Sequence, residues 1–501
     1  MNYLYNYDTD SLKERILRLN NTEEEIDISS FIVDYDSKPL VDFKKRLEEY
    51  RDKRFLIIGD YDCDGITSTT IAKKLLERMG ISSNYYIPSR SKDGYGLSMD
   101  MVKMAIENGF EVLLLVDNGV KATEEVKLAR DNGIRVLIID HHEYEEIPMC
   151  DGFLHPNILE EEYKLLSAGG LCAYLYNSYE EDDYVTVLGG MSILSDMMPV
   201  FRYNRYLLKR MLEILNTGRI YQFNYLYGLK KYTYDDISYR IIPKINSLSR
   251  MDSNVNVMVK YLLASDEVCK NTAMKIESIN NDRKLVSKNM YDEAIRNMEM
   301  HGSFIVVRSP LFFEGLCGVL ANKLLMNHLK PVFVISETNG ELRASGRSLE
   351  NFNIYEYLNE ISSSLSSFGG HAQAVGFSLD ESKYQEFLSY LDANPVSIEE
   401  VYKPVLVLSQ NDLNEESMKI IEELEPYGTS FKKPLLCIEN PVCLKKYVIK
   451  NMYPKFTLGS NLSAISFNEK HLDYSFERMI GHLTRDSYRA SNLSFMIEDL
   501  L

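Results

Sequence analysis

The chain has 501 residues, 45% of them hydrophobic and 26% charged, which is the balance of a multidomain globular protein. No apolar run approaches the roughly 18–20 residues that cross a bilayer, and the first residues lack a signal-peptide pattern. The seven cysteines are scattered and never spaced CxxC, which favours reduced thiols over disulfides or a thiolate zinc site. We therefore expect a cytoplasmic protein without membrane contacts.

The net charge of −18 argues against a nucleic-acid-binding protein, because binding to phosphates normally requires an excess of lysine and arginine. The charge is unevenly distributed, however. Residues 426–501 hold ten basic and seven acidic residues, so this part is mildly basic while the rest is strongly acidic. Carboxylates that bind a metal also contribute to an acidic balance. The net charge alone therefore excludes neither class of partner.

The first half alternates short apolar runs with amphipathic helical patterns. We predict strands at FLIIG (55–59), SNYYIP (83–88), VLLLVD (112–117) and RVLIID (135–140). We predict helices between them over 66–79, 99–107 and 122–131. This alternation is typical of a parallel sheet with helices on both faces, where ligands bind at the carboxyl ends of the strands.

The second half contains a long helix, a second α/β unit and a region of short strands. Residues 265–300 predict one helix of roughly 50 Å that joins two lobes; a coiled-coil helix is the alternative. Strands are predicted at 303–307, 331–336, 341–346 and 374–379, with helices near 315–328 and 354–366. After Pro404, short strands predict a small β-barrel, whose aromatic residues fill its core or stack on a single strand.

Ligand-type side chains follow three of the predicted strands. The first strand is followed by Asp60, Asp62 and Asp64, the second by Asp117 and the third by Asp140-His141-His142; Ser195-Asp196 ends a later helical stretch. Closely spaced carboxylates repel one another unless a cation or hydrogen bonds offset the repulsion. Carboxylates mixed with imidazole favour Mn²⁺ or Mg²⁺, and two such ions serve phosphoryl-transfer chemistry.

In this order, the segments DYDCDG, VDNG, DHH and SD-MMP resemble the four motifs of the DHH phosphoesterase superfamily. Further segments, among them PSRSKDGYGLS (88–98), INSLSRM (245–251), INNDRK (279–284), ASGRS (344–348) and GGHAQAVGFSL (369–379), are similar to RecJ-type exonucleases. The resemblance covers roughly residues 50–501. It implies an α/β fold in which a parallel-sheet DHH domain is joined by a long helix to a smaller α/β DHHA1 domain, followed by an OB-like β-barrel.

The resemblance also implies domain boundaries. They are 1–50 for an N-terminal segment that packs on the first lobe, 51–262 for the DHH domain, 263–300 for the connecting helix, 301–395 for the DHHA1 domain and 403–501 for an OB-fold-like nucleic-acid-binding domain.

For the metal site, the resemblance implies roles residue by residue. Asp62 and Asp117 would bind one metal ion. The second ion would be bound by Asp64, Asp117, His141 and Asp196, so that Asp117 bridges the two. Asp60 would lie at the edge of the site, and His142 would face the scissile phosphate or hydrogen-bond to a ligand. Many superfamily members carry a histidine where this chain has Ile58.

The substrate-binding residues that the resemblance implies are Arg90, Tyr95, Arg250, Arg347, Ser348, Gly369, Gly370 and His371. The arginines would clamp phosphates. Tyr95 would stack on a base or merely pack. The Gly-Gly-His segment would allow close approach of a phosphate to the backbone; a simple turn is the alternative reading of the two glycines.

The function implied is an exonuclease that degrades single-stranded DNA from the 5′ end to 5′-mononucleotides, in DNA recombination or repair, as a monomer with two Mn²⁺ or Mg²⁺ ions. A single-strand-binding protein or a helicase is a candidate partner. One alternative is a DHH-type phosphodiesterase that acts on short oligoribonucleotides or cyclic dinucleotides. A second is an inactive nucleic-acid-binding scaffold, against which the intact set of ligand residues argues.

Overall fold

The structure is a computed structural model that describes residues 2–22, 28, 31–90, 94, 96–228, 231–338, 340–397, 400, 402–473, 475–486 and 492–501. The chain folds into two compact units. The barrel unit comprises Met1–Val33, Met197–Lys209 and Glu400–Leu501; the two-sheet unit comprises Asp34–Asp196 and Arg210–Glu399. Among the described residues, no helix is both long and apolar enough to cross a bilayer.

The described residues form three sheets and a series of helices. The strands are β1 (Asn2–Asn6), β2 (Phe55–Ile58), β3 (Ser83–Tyr86), β4 (Val112–Val116), β5 (Arg135–Ile139), β6 (Gly152–Leu154), β7 (Glu299–His301), β8 (Phe304–Ser309), β9 (Val332–Thr338), β10 (Glu341–Arg347), β11 (Ser367–His371), β12 (Ala374–Asp380), β13 (Tyr402–Leu408), β14 (Leu436–Glu439), β15 (Lys445–Ile449), β16 (Tyr453–Thr457), β17 (Leu462–Ser466), β18 (Arg478–Arg485) and β19 (Leu493–Leu500). The helices are α1 (Leu12–Leu19), α2 (Lys38–Glu49), α3 (Cys63–Arg78), α4 (Met99–Glu107), α5 (Thr123–Asp131), α6 (Ala168–Asn177), α7 (Asp183–Ser195), α8 (Arg202–Leu215), α9 (Tyr221–Tyr227), α10 (Tyr234–Asp236), α11 (Ile242–Ile245), α12 (Ser247–Arg250), α13 (Asn256–Leu263), α14 (Asp266–Arg296), α15 (Glu314–His328), α16 (Ile354–Asn359), α17 (Tyr384–Ala393) and α18 (Glu415–Glu423).

The first sheet of the two-sheet unit is parallel and has the strand order β3-β2-β4-β5-β6. β2 and β4 are buried along their whole length, which explains their continuous apolar sequences. Helices α4 and α5 cover one face, and α3 contacts β2 and β4. The chain runs from β2 outward to β3 and then returns to the other side of β2. The strand order therefore reverses between β2 and β4, where ligands of such sheets bind.

The second sheet has the order β11-β12-β10-β9-β8-β7, and of its strand pairs only β8 and β9 run parallel. Helix α14 precedes it and spans 31 residues. This helix packs on α9, α12, α13, α15 and β8 of the same unit. Its residues Ile276 and Met290 are buried there, whereas Met274 and Leu285 are exposed. The helix predicted over 354–366 is shorter, because α16 ends at Asn359 and the serine-rich segment that follows favours turns over a helix.

The barrel unit contains one sheet of order β1-β13-β14-β18-β19-β17-β16-β15. β1 pairs in parallel with β13, with Asn2 opposite Tyr402, and Tyr3 and Tyr5 pack against the core of this sheet. Strand β1 is therefore part of the barrel unit. By contrast, α2 belongs to the two-sheet unit, where it contacts β6. With the two α/β sheets, the long helix and the terminal β-domain, the predicted fold class is confirmed.

Candidate metal centre

The polar residues after β2, β4 and β5 meet at the carboxyl edge of the parallel sheet, where the strand order reverses. Asp60 and Asp62 follow β2, Asp117 follows β4, and the three have ligand atoms within 4.8 Å of one another. A second group satisfies the same condition and consists of Asp64, His141 and Asp196. The residues predicted to bind two metal ions are thus brought together as two adjoining groups.

His141 links the two groups. Its Nε2 atom lies 3.3 Å from Oδ1 of Asp117, 3.4 Å from Oδ2 of Asp196 and 3.7 Å from Oδ2 of Asp64. Asp196 reaches the site from the C-cap of α7, and Asp64 from the first turn of α3. One imidazole nitrogen therefore faces three carboxylates that come from three different elements.

Burial and mutual repulsion disfavour the ionised forms of these acids. Burial, followed by the charges of neighbouring aspartates, raises the pKa of Asp60 and of Asp117 well above the usual range. The same causes raise the pKa of Asp196 to about 8. Burial also lowers the pKa of His141, which favours the neutral imidazole that a metal requires. The site is therefore poised to gain stability when a cation compensates the carboxylates.

The donor atoms fit divalent cations. Among the described residues, neither Oδ1 of Asp60 nor Nε2 of His141 has a hydrogen-bond partner, although both atoms are buried. Buried polar atoms without hydrogen bonds are costly, and metal coordination is one way in which they are satisfied. Several carboxylate oxygens with one imidazole suit Mn²⁺ and Mg²⁺. Ile58 is fully buried in the sheet core and offers no ligand atom.

His142 is held by a residue that our prediction did not assign to the site. Oδ1 of Asp140 lies 2.7 Å from Nδ1 of His142, and Asp140 also accepts hydrogen bonds from the backbone N–H groups of His141 and Val120. Although burial lowers the pKa of His142, the hydrogen bond and the charge of Asp140 raise it above its ordinary value overall. The contact between Asp140 and His142 could have been predicted from the DHH tripeptide, because a carboxylate two residues before a histidine can orient its ring.

Three local features, at Asp117, Asn118 and Gly65, keep the carboxylates close together. Asp117 has a left-handed backbone (φ 62°), a conformation that aspartate tolerates better than most residues. Asn118 then turns inward and donates hydrogen bonds to the carbonyl oxygens of Ile58 and Val116, which joins β4 to β2. At Gly65, an added Cβ atom would lie 2.4 Å from the carbonyl oxygen of Asp60, so the approach requires glycine.

Arginines assemble beside the carboxylate groups. Burial and the charges of Arg283 and Arg90 lower the pKa of Arg250 to about 10, while the charge of Asp62 opposes this shift. Burial and the charge of Arg90 lower the pKa of Arg347. The predicted Arg90, Arg250 and Arg347 are thus close enough to repel one another, which favours an anion between them. Arg283 was not predicted as a site residue, although it lies in the INNDRK segment that we had singled out.

The remaining predicted residues are placed differently. The hydroxyl of Ser348 donates to the carbonyl of Phe352 (2.6 Å), so it is engaged within its own loop. Gly369, Gly370 and His371 form the exposed edge strand β11 rather than a turn, and Gly370 has a φ of 146°. Tyr95 lies outside the described residues.

Three family models match successive parts of the chain: the DHH family N-terminal domain at residues 54–192, the DHHA1 domain at 301–394 and the RecJ OB domain at 406–499. Among curated proteins, the chain is 29% identical over 453 residues to the single-stranded-DNA-specific exonuclease RecJ of Bacillus subtilis, covering 84% of this chain and 57% of that protein. It is 27% identical over 470 residues to the Haemophilus influenzae protein of the same name, covering 83% and 81%.

Two solved structures are also similar. RecJ of Thermus thermophilus in complex with Mn²⁺ matches 98% of this chain and 75% of its own, with 21% identity and a TM-score of 0.85. A crystal structure of exonuclease RecJ bound to manganese matches 71% of this chain and 94% of its own, with 26% identity and a TM-score of 0.64. The first likeness shows the fold, and the second agrees with it.

The sheet-edge carboxylates and the neighbouring arginines are the kinds of groups that bind cations and phosphates in phosphoesterases. The family models and the relatives agree. The chain has a DHH domain, a DHHA1 domain and a RecJ OB domain, and the curated proteins that it resembles are RecJ exonucleases.

Proposed function

We propose that this protein is a metal-dependent exonuclease that hydrolyses single-stranded DNA from the 5′ end and releases 5′-mononucleotides. The observation that carries the proposal is the meeting of two ligand groups at one sheet edge, with His141 between them and the arginines beside them. The curated relatives are single-stranded-DNA-specific exonucleases, and this supports the choice of substrate. The chain spans 57% of the B. subtilis relative, so the activity is inferred for this chain rather than carried over.

The ligand sets follow from the two groups. Asp62 and Asp117 would hold one Mn²⁺ or Mg²⁺ ion, and Asp60 lies near enough to join them. The second ion would be held by Asp64, Asp117, His141 and Asp196. When bound, such ions activate a water molecule and stabilise charge on the phosphoryl oxygens. Mn²⁺ is present in both similar structures described above, and Mg²⁺ in a further RecJ structure from T. thermophilus.

The chain's own residues would bind and orient the substrate. Arg90, Arg250 and Arg347 would donate paired N–H groups to phosphates of the strand. His142, whose Nδ1 side is held by Asp140, would present its Nε2 side to the scissile phosphate. The hydrogen bond between Asp140 and Nδ1 of His142 favours the protonated ring, and that form can donate to a phosphoryl oxygen.

The remaining features belong to the same proposal. The DHH domain would span 51–262, the connecting helix 263–300, the DHHA1 domain 301–395 and the nucleic-acid-binding barrel 403–501. The protein would act as a cytoplasmic monomer in recombination or repair, with a single-strand-binding protein or a helicase as partner. Gly369, Gly370 and His371 would approach the substrate from β11, with Ser348 and Tyr95 as further contacts.

The test uses purified protein, Mn²⁺ and a 3′-labelled oligonucleotide offered as single-stranded DNA, single-stranded RNA or duplex. We expect a descending ladder on single-stranded DNA that EDTA or Asp64→Ala abolishes. Asp100→Ala is the matched control, because Asp100 is an exposed aspartate of α4 paired with Lys103, and this variant should keep full activity. Turnover of dinucleotides alone would favour the small-substrate phosphodiesterase, and binding without turnover would favour the scaffold; either result overturns the proposal.

A further inference from the structure

Protein donors hold both carboxylate oxygens of Asp64, with two hydrogen bonds to Oδ1 and one to Oδ2. Its Oδ1 atom accepts hydrogen bonds from the hydroxyl of Ser192 (2.5 Å) and from the backbone N–H of Gly169 (2.7 Å). Its Oδ2 atom accepts one from the backbone N–H of Ala168 (3.0 Å) and lies 3.7 Å from Nε2 of His141. Asp64 is 1% exposed, so these donors replace water. Oδ1 is therefore occupied by the protein, and Oδ2 faces the ligand group.

The Ser192 hydroxyl is itself fixed by a chain of hydrogen bonds. Ser192 has one hydroxyl proton, which it donates to Asp64, so the 2.5 Å contact between Ser167 and Ser192 must have Ser167 as the donor. Ser167 in turn accepts from the backbone N–H of Gly170 (3.3 Å). Both serines are fully buried. In this series of hydrogen bonds, every donated hydrogen therefore points from the first turn of α6 toward the carboxylate of Asp64.

The approach of α7 to α6 depends on Gly169. A Cβ atom at this position would lie 2.6 Å from Cβ and Oγ of Ser192 and 3.1 Å from Oδ1 of Asp64. Only a residue without a side chain lets the helix amide, the serine hydroxyl and the carboxylate meet. The N-terminus of α6 also carries a partial positive charge that favours an ionised carboxylate next to it.

We propose that Ser192, supported by Ser167 and the Ser167–Gly170 turn, is a positioning residue that holds Asp64 as a one-oxygen ligand of a divalent cation. The inference rests on the proposed metal centre and adds the residues that orient it. Ser192 does not touch the cation. It occupies Oδ1, so that Asp64 offers Oδ2 to the cation shared with His141 and Asp196. Groups that orient a metal ligand in this way typically change metal affinity about 10–100-fold when they are removed.

The test measures Mn²⁺ binding to the full chain without nucleic acid, by electron paramagnetic resonance of the unbound ion. Ser192→Ala should weaken one class of Mn²⁺ sites by about tenfold or more. Thr70→Ala is the matched control, because Thr70 is a fully buried hydroxyl of α3 that bonds only to the carbonyl of Ile66 among the described contacts. The control should bind Mn²⁺ within about twofold of the unchanged protein.

A double-mutant cycle separates positioning from a general structural effect. If Ser192 acts through Asp64, Ser192→Ala should have no further effect on Mn²⁺ affinity once Asp64→Asn is present. Equal losses in both backgrounds would overturn the inference, as would unchanged Mn²⁺ binding by a folded Ser192→Ala protein. If Ser192→Ala does not fold, Ser167→Ala takes its place, with a loss of at least threefold expected and none overturning the inference.

Failure of the inference about Ser192 can be distinguished from failure of the proposed exonuclease function. An unchanged protein that binds Mn²⁺ tightly but degrades no DNA would refute the exonuclease and leave the Ser192 test intact. An unchanged protein that binds no Mn²⁺ would refute both.

Discussion

Replacing Asp196 with asparagine should stabilise the metal-free protein. The unfolded carboxyl has a pKa of 3.8, whereas burial and the charges of Asp64 and Asp62 raise the pKa of folded Asp196 to about 8. The resulting penalty is absent below pH 3.8, grows as the pH rises and is complete above about 8. At about 1.4 kcal/mol per pH unit, the penalty at pH 7 is at most about 4 kcal/mol. Asp196→Asn removes it.

The assay is urea unfolding followed by circular dichroism, because the chain has no tryptophan. In EDTA at pH 7, Asp196→Asn should be the more stable protein, and the difference should shrink to under about 2 kcal/mol at pH 5. Adding Mn²⁺ should reduce the advantage of the variant, because the unchanged protein binds the ion more tightly. A ligand at 100 times its Kd adds about 2.7 kcal/mol, and the variant has lost a ligand. Asp100→Asn, an exposed control, should leave the stability nearly unchanged.

Two results would contradict a raised pKa of Asp196 in the folded protein. If Asp196→Asn is less stable than the unchanged protein in EDTA at both pH values, the carboxylates do not strain the folded state, and the pKa of Asp196 is not raised. A stabilisation that is the same at pH 5 and pH 7 would also contradict the argument, because it would then have no connection with the ionisation of Asp196.

Three further predictions concern other parts of the protein. Arg205→Leu should lower the free energy of unfolding of the barrel unit by about 3 kcal/mol or more, as measured by urea unfolding. The reason is that buried Arg205 donates hydrogen bonds to three consecutive carbonyls at 424–426. The control Arg210→Ala removes only an exposed ion pair with Glu213 and should change the stability little. Gly65→Ala should abolish tight Mn²⁺ binding in calorimetry, because the new Cβ displaces the backbone of Asp60. The control Gly376→Ala should bind normally, because nothing lies within 4 Å of the added atom. Arg250→Gln should weaken binding of single-stranded DNA without Mn²⁺ and reduce the slope of log K against log salt by about one; an unchanged slope would exclude a phosphate contact.

The parallel sheet and most of the ligand residues were predictable because their signals are local. Continuous apolar runs mark β2, β4 and β5 as doubly covered strands, and the polar residues after them must meet at one edge. Asp196 was also predictable, although only from its motif, because α7 reaches the site through the packing of helices rather than through the sheet.

The residues that the sequence did not reveal act through tertiary contacts. Ser192 lies in the last turn of the apolar helix α7, where a serine is not in itself a sign of function, and its role depends on Gly169 in the preceding helix α6. Arg283 lies on a long helix whose surface is rich in charged residues, so nothing in the local pattern sets it apart. Strand β1 has alternating tyrosines but no indication that its partner is β13, at the far end of the sequence.

The long stretch of sequence between β1 and its partner β13 has a consequence for synthesis on the ribosome. Asn2 pairs with Tyr402, and the sheet of the barrel unit also requires strands that follow β13 in the chain. At about 5–20 residues per second, β1 waits roughly 20–80 s for its partner strand. During that interval its Tyr3 and Tyr5 side chains have no sheet to pack against, while the parallel sheet at 55–154 can already form. Strand β1 therefore leaves the ribosome before either α/β sheet, but it can pair only after the residues of both sheets have been synthesised.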